Sequence, residues 1–119
     1  RHSQHEDVRA LMRLVIGSVN IGTATTRVQV NNKADRVYWI QFKAKEGNSG
    51  HVFVGDSTVS ATNGWSLDVP GANRPTGEVT FNFRGSEKGA HVQGSVPFSY
   101  FYVDAATNGD DVDYAAWTE

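Results

Sequence analysis

The sequence predicts an all-β domain: an antiparallel β-sandwich or barrel, jelly-roll-like, of about eight short strands, with a short helical arm at its N-terminus. Three observations predict it. Apolar and polar residues alternate in short runs over most of the chain, which is the period of a half-buried strand. Turn sequences separate the runs, among them Asn48-Ser49-Gly50, Asn63-Gly64, Pro70-Gly71 and Asn108-Gly109, because Asn and Gly tolerate the positive φ of tight turns. Helical patterns do not alternate with the strands, which argues against βαβ units. At 119 residues the chain reads as one domain able to bury a core without staples. Its expected limits are residues 15–119, with residues 1–14 as the arm.

Ser3 and Glu6 have capping-box spacing. Val8, Leu11, Met12 and Val15 follow at i, i+3, i+4 and i+7, one face of a helix. Asp7 and Arg13 stand where the helix dipole favours them, so a helix is predicted over residues 4–13. Its apolar stripe calls for a partner surface, either its own domain or a neighbouring subunit.

From Leu14 the period changes to two. Val15, Gly17, Val19 and Ile21 alternate with Leu14, Ser18 and Asn20. Thr26 to Val30 is a second strand with Val28 and Val30 inward. Arg36 to Lys45 is the longest, with Tyr38, Ile40, Phe42 and Ala44 on one face and Trp39, Gln41 and Lys43 on the other. His51 to Val54 is short, β-branched and aromatic, and Gly55-Asp56-Ser57-Thr58 breaks it. Trp65 to Val69 and Glu78 to Arg84 are further strands. Gly85 to Gly94 is a polar, glycine-bearing loop and the expected site of mobility. Pro97 to Asp104 carries bulk on both faces, as a covered central strand does. Val112 to Trp117 is expected to close the chain as its hairpin partner.

Composition narrows the function. No cysteine is present, so disulfide and Cys-zinc frameworks are excluded. A net charge of -2 lacks the basic excess of a nucleic-acid binder. No apolar run is long enough for a membrane-spanning helix. The chain opens on Arg1 rather than Met, as a trimmed chain does. His2, His5, His51 and His91 show no metal-ligand spacing, and GDSTV at 55–59 is not a nucleophile elbow. Catalytic, metal and cofactor-binding residues are therefore expected to be absent. A triad of Ser57, His51 and an Asp, or a glycosidase pair using Glu46 or Glu78, has no supporting pattern. Asp104, Asp110, Asp111 and Asp113 read as a solvated hairpin loop, with an oxygen-ligated Ca²⁺ site as the sharper alternative. Trp39, Trp65 and Trp117 read as core or interface residues, with sugar-stacking platforms as the alternative.

Asn48 to Ser60, followed by Asn63-Gly64 and Leu67, resembles a strand–loop–strand stretch of small bacteriophage head decoration (cement) or head-fibre proteins. Phe101 to Tyr114, FYVDAATNGDDVDY, resembles their closing segment, and the likeness spans roughly residues 25–117. The loop 85–96 is longer than that pattern, and the N-terminal arm is foreign to it. The resemblance implies a non-enzymatic virion component that binds the major capsid protein lattice on the capsid exterior, as a homotrimer. Val8, Leu11, Met12 and Val15 of the arm, with Trp39 and Trp117, are then the expected interface residues. A glycan- or receptor-binding module is the alternative.

Overall fold

A computed structural model describes residues 12–69, 77–83 and 94–119. Nine strands lie among them: β1 (Arg13–Ile21), β2 (Val28–Gln29), β3 (Arg36–Ala44), β4 (Val52–Gly55), β5 (Trp65–Leu67), β6 (Glu78–Asn82), β7 (Val96–Pro97), β8 (Tyr102–Ala105) and β9 (Asp110–Thr118). They form two antiparallel sheets. One runs β1-β9-β3-β6, with β7 also on β3; the other runs β2-β8-β4-β5. Consecutive strands mostly fall in opposite sheets, and both orders interleave the first strands of the chain with the last. With the two-residue β7 set aside, this is the double-sheet jelly roll.

The inward residues of both sheets make one core. Ile21, Val37, Ile40, Phe42 and Val112 come from the first sheet, and Val52, Val54, Leu67 and Val103 from the second. Phe42 lies at its centre, with Phe101 5.5 Å and Phe81 6.2 Å away between ring centroids. Gly17 is a packing requirement: Tyr114, its cross-strand partner, lies over it so closely that a Cβ would stand 2.5 Å from the phenol oxygen. Gly64 is a backbone requirement. Its φ is +137°, and a Cβ there would meet Val54 O and Val59 Cγ2 at 2.8 Å.

Four expectations change. First, the face assignment of the longest strand slips at Tyr38. A bulge between Val37 and Trp39 puts the extra residue there, so Val37 rather than Tyr38 faces inward with Ile40. Second, Pro97 to Asp104 is not one strand. Phe98–Tyr100 forms a 3-10 turn between β7 and β8. In such a turn residues three apart share a face, so Phe98 and Phe101 are both buried while Tyr100 is exposed. The chain crosses from one sheet to the other at this turn, anchored by Phe98 N–H to Asp35 O (2.9 Å) and Ser99 N–H to Lys33 O (3.0 Å).

Third, β8 and β9 are not a hairpin. They lie in opposite sheets, and the turn at Asn108-Gly109 carries the chain across the sandwich. Fourth, Arg13 and Leu14 belong to β1, so strand begins where the helix was expected to end. Val15, expected at an interface, packs partly buried against the core. Val8 and Leu11, with the rest of residues 1–11, lie outside the described residues, as do most of the expected mobile loop and His91.

Candidate interaction surface

Alternate residues of β1, β9 and β3 point away from the core. Register lines them up across the sheet. One row runs Leu14, Trp117, Trp39 and Asn82; the next runs Ile16, Ala115, Gln41 and Thr80; a third runs Ser18, Asp113, Lys43 and Glu78. The first two rows make an apolar strip over three strands. Ile16 is 72% exposed, Leu14 48% and Trp117 43%. Trp39 and Ala115 are half-buried beside them.

Folding does not call for this strip, because the opposite face of the same strands already fills the core. A polar rim borders it. Arg13 reaches Asp35 at 3.2 Å, and the Arg36 amide donates to the Glu119 side chain at 3.1 Å. An apolar centre inside a polar rim is how protein–protein contacts are built. Trp39 and Trp117, expected at an interface, fall together in this strip. Leu14 and Ile16 were not singled out, although the period-two pattern already placed Leu14 on the polar side of its strand. Met12 precedes β1 and is half-buried.

The residues considered for chemistry are deployed otherwise. Asp110 is buried, and its two oxygens accept the amides of Ser49 and Gly50, both at 2.9 Å. Asn48, also buried, exchanges two bonds with the Asp111 backbone, donating at 2.8 Å and accepting at 2.9 Å. Asp111 accepts from Asn20 (2.9 Å), and Asp113 pairs with Lys45 (3.0 Å). The acidic segment thus clasps the β3–β4 turn. Among the described residues, no group of three or more His, Cys, Asp or Glu side chains converges as a cation site.

His51 stands 3.4 Å from Asp68. Ser57 is not with them: β4 lies between His51 and Ser57, a separation of about 13 Å for an extended four-residue strand. Glu78 lies beside Gln41 at 3.4 Å. Asp56 accepts from the Thr58 hydroxyl (2.6 Å) and amide (2.9 Å), and these bonds, the hydroxyl first, hold its carboxyl below the ordinary value of 3.8.

No protein-family model matches the sequence, and no curated protein matches it. Solved structures match in shape. A chain from Bacillus endospore appendages, described as a family of disulfide-linked pili, has a TM-score of 0.49 at 10% identity, over 91% of this chain and 84% of that one. A chain of the cyanophage Pam1 capsid has 0.45 at 14% identity, over 91% and 84%. A chain of the virus-like particle of Macrobrachium rosenbergii extra small virus has 0.49 at 8% identity, over 91% and 78%. These neighbours are a pilus protein and viral capsid proteins. Identities this low describe a likeness of shape and lend no activity to this chain.

Proposed function

We propose that this protein is a non-enzymatic structural component of a virion, which stabilises a bacteriophage head by binding its major capsid protein from outside. The observation that carries the reading is the apolar strip of Leu14, Ile16, Trp117 and Trp39 on a rigid sheet face. Exposed apolar patches of this kind mark surfaces that another protein covers. The resemblance of residues 48–67 and 101–114 to head decoration proteins supplies the class of partner. Self-association as a homotrimer, with Val8, Leu11 and Met12 of the N-terminal segment between copies, would let many modest contacts on a symmetric lattice act together.

The test is add-back of purified protein to phage heads that lack it. Wild type should co-sediment with heads. A double variant, Leu14→Asp with Ile16→Asp, should lose binding by about a hundredfold while its far-ultraviolet spectrum stays unchanged, since two charges would be forced into an apolar contact. Undiminished co-sedimentation of a folded double variant would sink the reading. Light scattering on the free protein should report a trimer; a monomer would remove the trimeric part. A second reading, a glycan-binding module, is favoured by the exposed Trp65 and Tyr100, which line a cleft together with Asp56 and Asn63.

A further inference from the structure

At the open side of the sandwich, edge strand β5 faces edge strand β6 across a cleft of about 350 Å³. One wall is aromatic. Ring centroids run Trp65 to Phe81 at 6.4 Å, Phe81 to Phe101 at 6.1 Å, Phe101 to Phe83 at 6.2 Å and Phe101 to Tyr100 at 5.4 Å. Their planes are inclined to one another by 34° to 88° and Phe101, which links them, is buried, so the open ring faces are those of Trp65 and Tyr100. Trp65 is 57% exposed and Tyr100 48%, although both are large aromatics.

The other wall is the 55–64 loop, which brings Asp56, Thr58 and Asn63 to the cleft. Local bonds fix that wall. Asn63 donates its side-chain amide to Thr58 O (3.0 Å) and Oγ1 (2.9 Å), and Thr58 in turn donates to Asp56 Oδ1. Among the described residues, no other side chain donates to Asp56 Oδ2 or Asn63 Oδ1, so both keep acceptor capacity toward the cleft. Among the described residues that line the cleft, the one charged side chain is the Asp56 carboxylate, which repels an anionic ligand.

We propose that this cleft binds a neutral saccharide, one sugar ring stacked on Trp65 with its hydroxyls donating to Asp56 and Asn63. A pyranose offers both surfaces the cleft asks for: an apolar C–H face for the exposed indole of Trp65 and an edge of hydroxyl donors for the acceptors. The volume lies in the range of small-ligand pockets. A quaternary or alkyl ammonium ion is the competitor, since aromatic rings beside a carboxylate attract cations. The neutral amide oxygen of Asn63 beside the carboxylate calls for hydrogen-bond donors, which a quaternary ammonium lacks and a row of sugar hydroxyls supplies.

The site is separate from the strip on β1, β9 and β3, so each can fail alone. The experiment uses the full chain and a panel of glucose, galactose, mannose and N-acetylglucosamine methyl glycosides, with lactose and chitobiose, followed by tryptophan fluorescence and amide NMR shifts. Tetramethylammonium is the control probe. At least one saccharide should bind at millimolar concentration and shift the resonances of Trp65 and Asn63. Trp65→Ala and Asp56→Asn should each weaken it by about tenfold, and Trp117→Ala should leave it unchanged. Should Trp65→Ala perturb folding, Tyr100→Ala replaces it with the same expected direction. The proposal is overturned if no saccharide binds, if tetramethylammonium alone binds, or if binding survives both substitutions.

Discussion

The two ends of the five-stranded sheet treat their exposed groups in opposite ways. At the end marked by Ile21, Asp110 and Ala44, polar side chains satisfy one another or nearby backbone. Asn20 donates to Gly109 O and to Asp111, Lys45 pairs with Asp113, and Asn48 and Asp110 tie the β3–β4 turn to the start of β9. At the other end, around Arg13, Trp117 and Trp39, the corresponding outward positions carry bare apolar side chains. The first end is closed on itself and serves the fold. The second spends exposed apolar area that the fold does not use, and that area gains free energy only when another molecule covers it.

The largest effect should come from opening the closed end. Asp110→Ala removes a buried carboxylate and strands two amides that lie 61 and 60 residues away in sequence. Charge-assisted bonds to buried backbone are the costly ones to lose, so unfolding in urea should show a loss of about 2–4 kcal/mol. Head binding per folded molecule should not change. A loss below about 0.5 kcal/mol would mean that the clasp is not what holds this end.

The reverse experiment belongs to the open end. Ile16→Thr keeps a β-branched residue in the strand and trims a side chain that is 72% exposed. Stability should therefore move by no more than about 0.5 kcal/mol, while head binding should weaken by about tenfold. If Ile16→Thr instead cost as much stability as Asp110→Ala, the strip would be part of the fold and the contrast between the ends would collapse.

The contrast was half legible in the sequence. Alternation in residues 14–21 and 78–83 reported both faces of β1 and β6, because an uninterrupted strand obeys a strict period of two. It failed where the backbone departs from that period. A single bulge residue at Tyr38 and a three-residue turn at Phe98–Tyr100 each shift the inward set, and neither leaves a mark stronger than one extra aromatic or a proline. The pairing of β8 with β2 and β4 departs from the expected hairpin for a different reason. Asn-Gly signals a reversal of direction but says nothing about which sheet receives the next strand. The clasp was visible only as its two halves, a turn at 48–50 and an acidic run at 110–113, because their meeting is a product of tertiary structure. Trp39 and Trp117 were picked out by type; that Leu14 and Ile16 complete their rows depends on register, which no local pattern supplies.

The smallest effect separates long-range from local use of a carboxylate. Asp110 joins distant segments, whereas the carboxylate of Asp56, at the end of β4 away from the clasp, is bonded locally, chiefly by Thr58 two residues on. Local ties of this kind shape a loop without holding the sandwich together. The Thr58 bonds hold the folded-state pKa of Asp56 below its ordinary value of 3.8. A depressed folded-state pKa contributes stability that is fully present above the ordinary value and is lost as pH falls through the lowered one. The thermal midpoint of wild type should therefore exceed that of Asp56→Asn by a small margin that is constant above the ordinary value of 3.8 and narrows as pH falls below it, through the lowered one. A margin that persisted undiminished at the acid limit would show that Asp56 acts through packing or shape rather than charge. A margin as large as the Asp110→Ala loss would show that the 55–64 loop is as integral to the fold as the clasp, and the cleft it borders would then have to be regarded as part of the core.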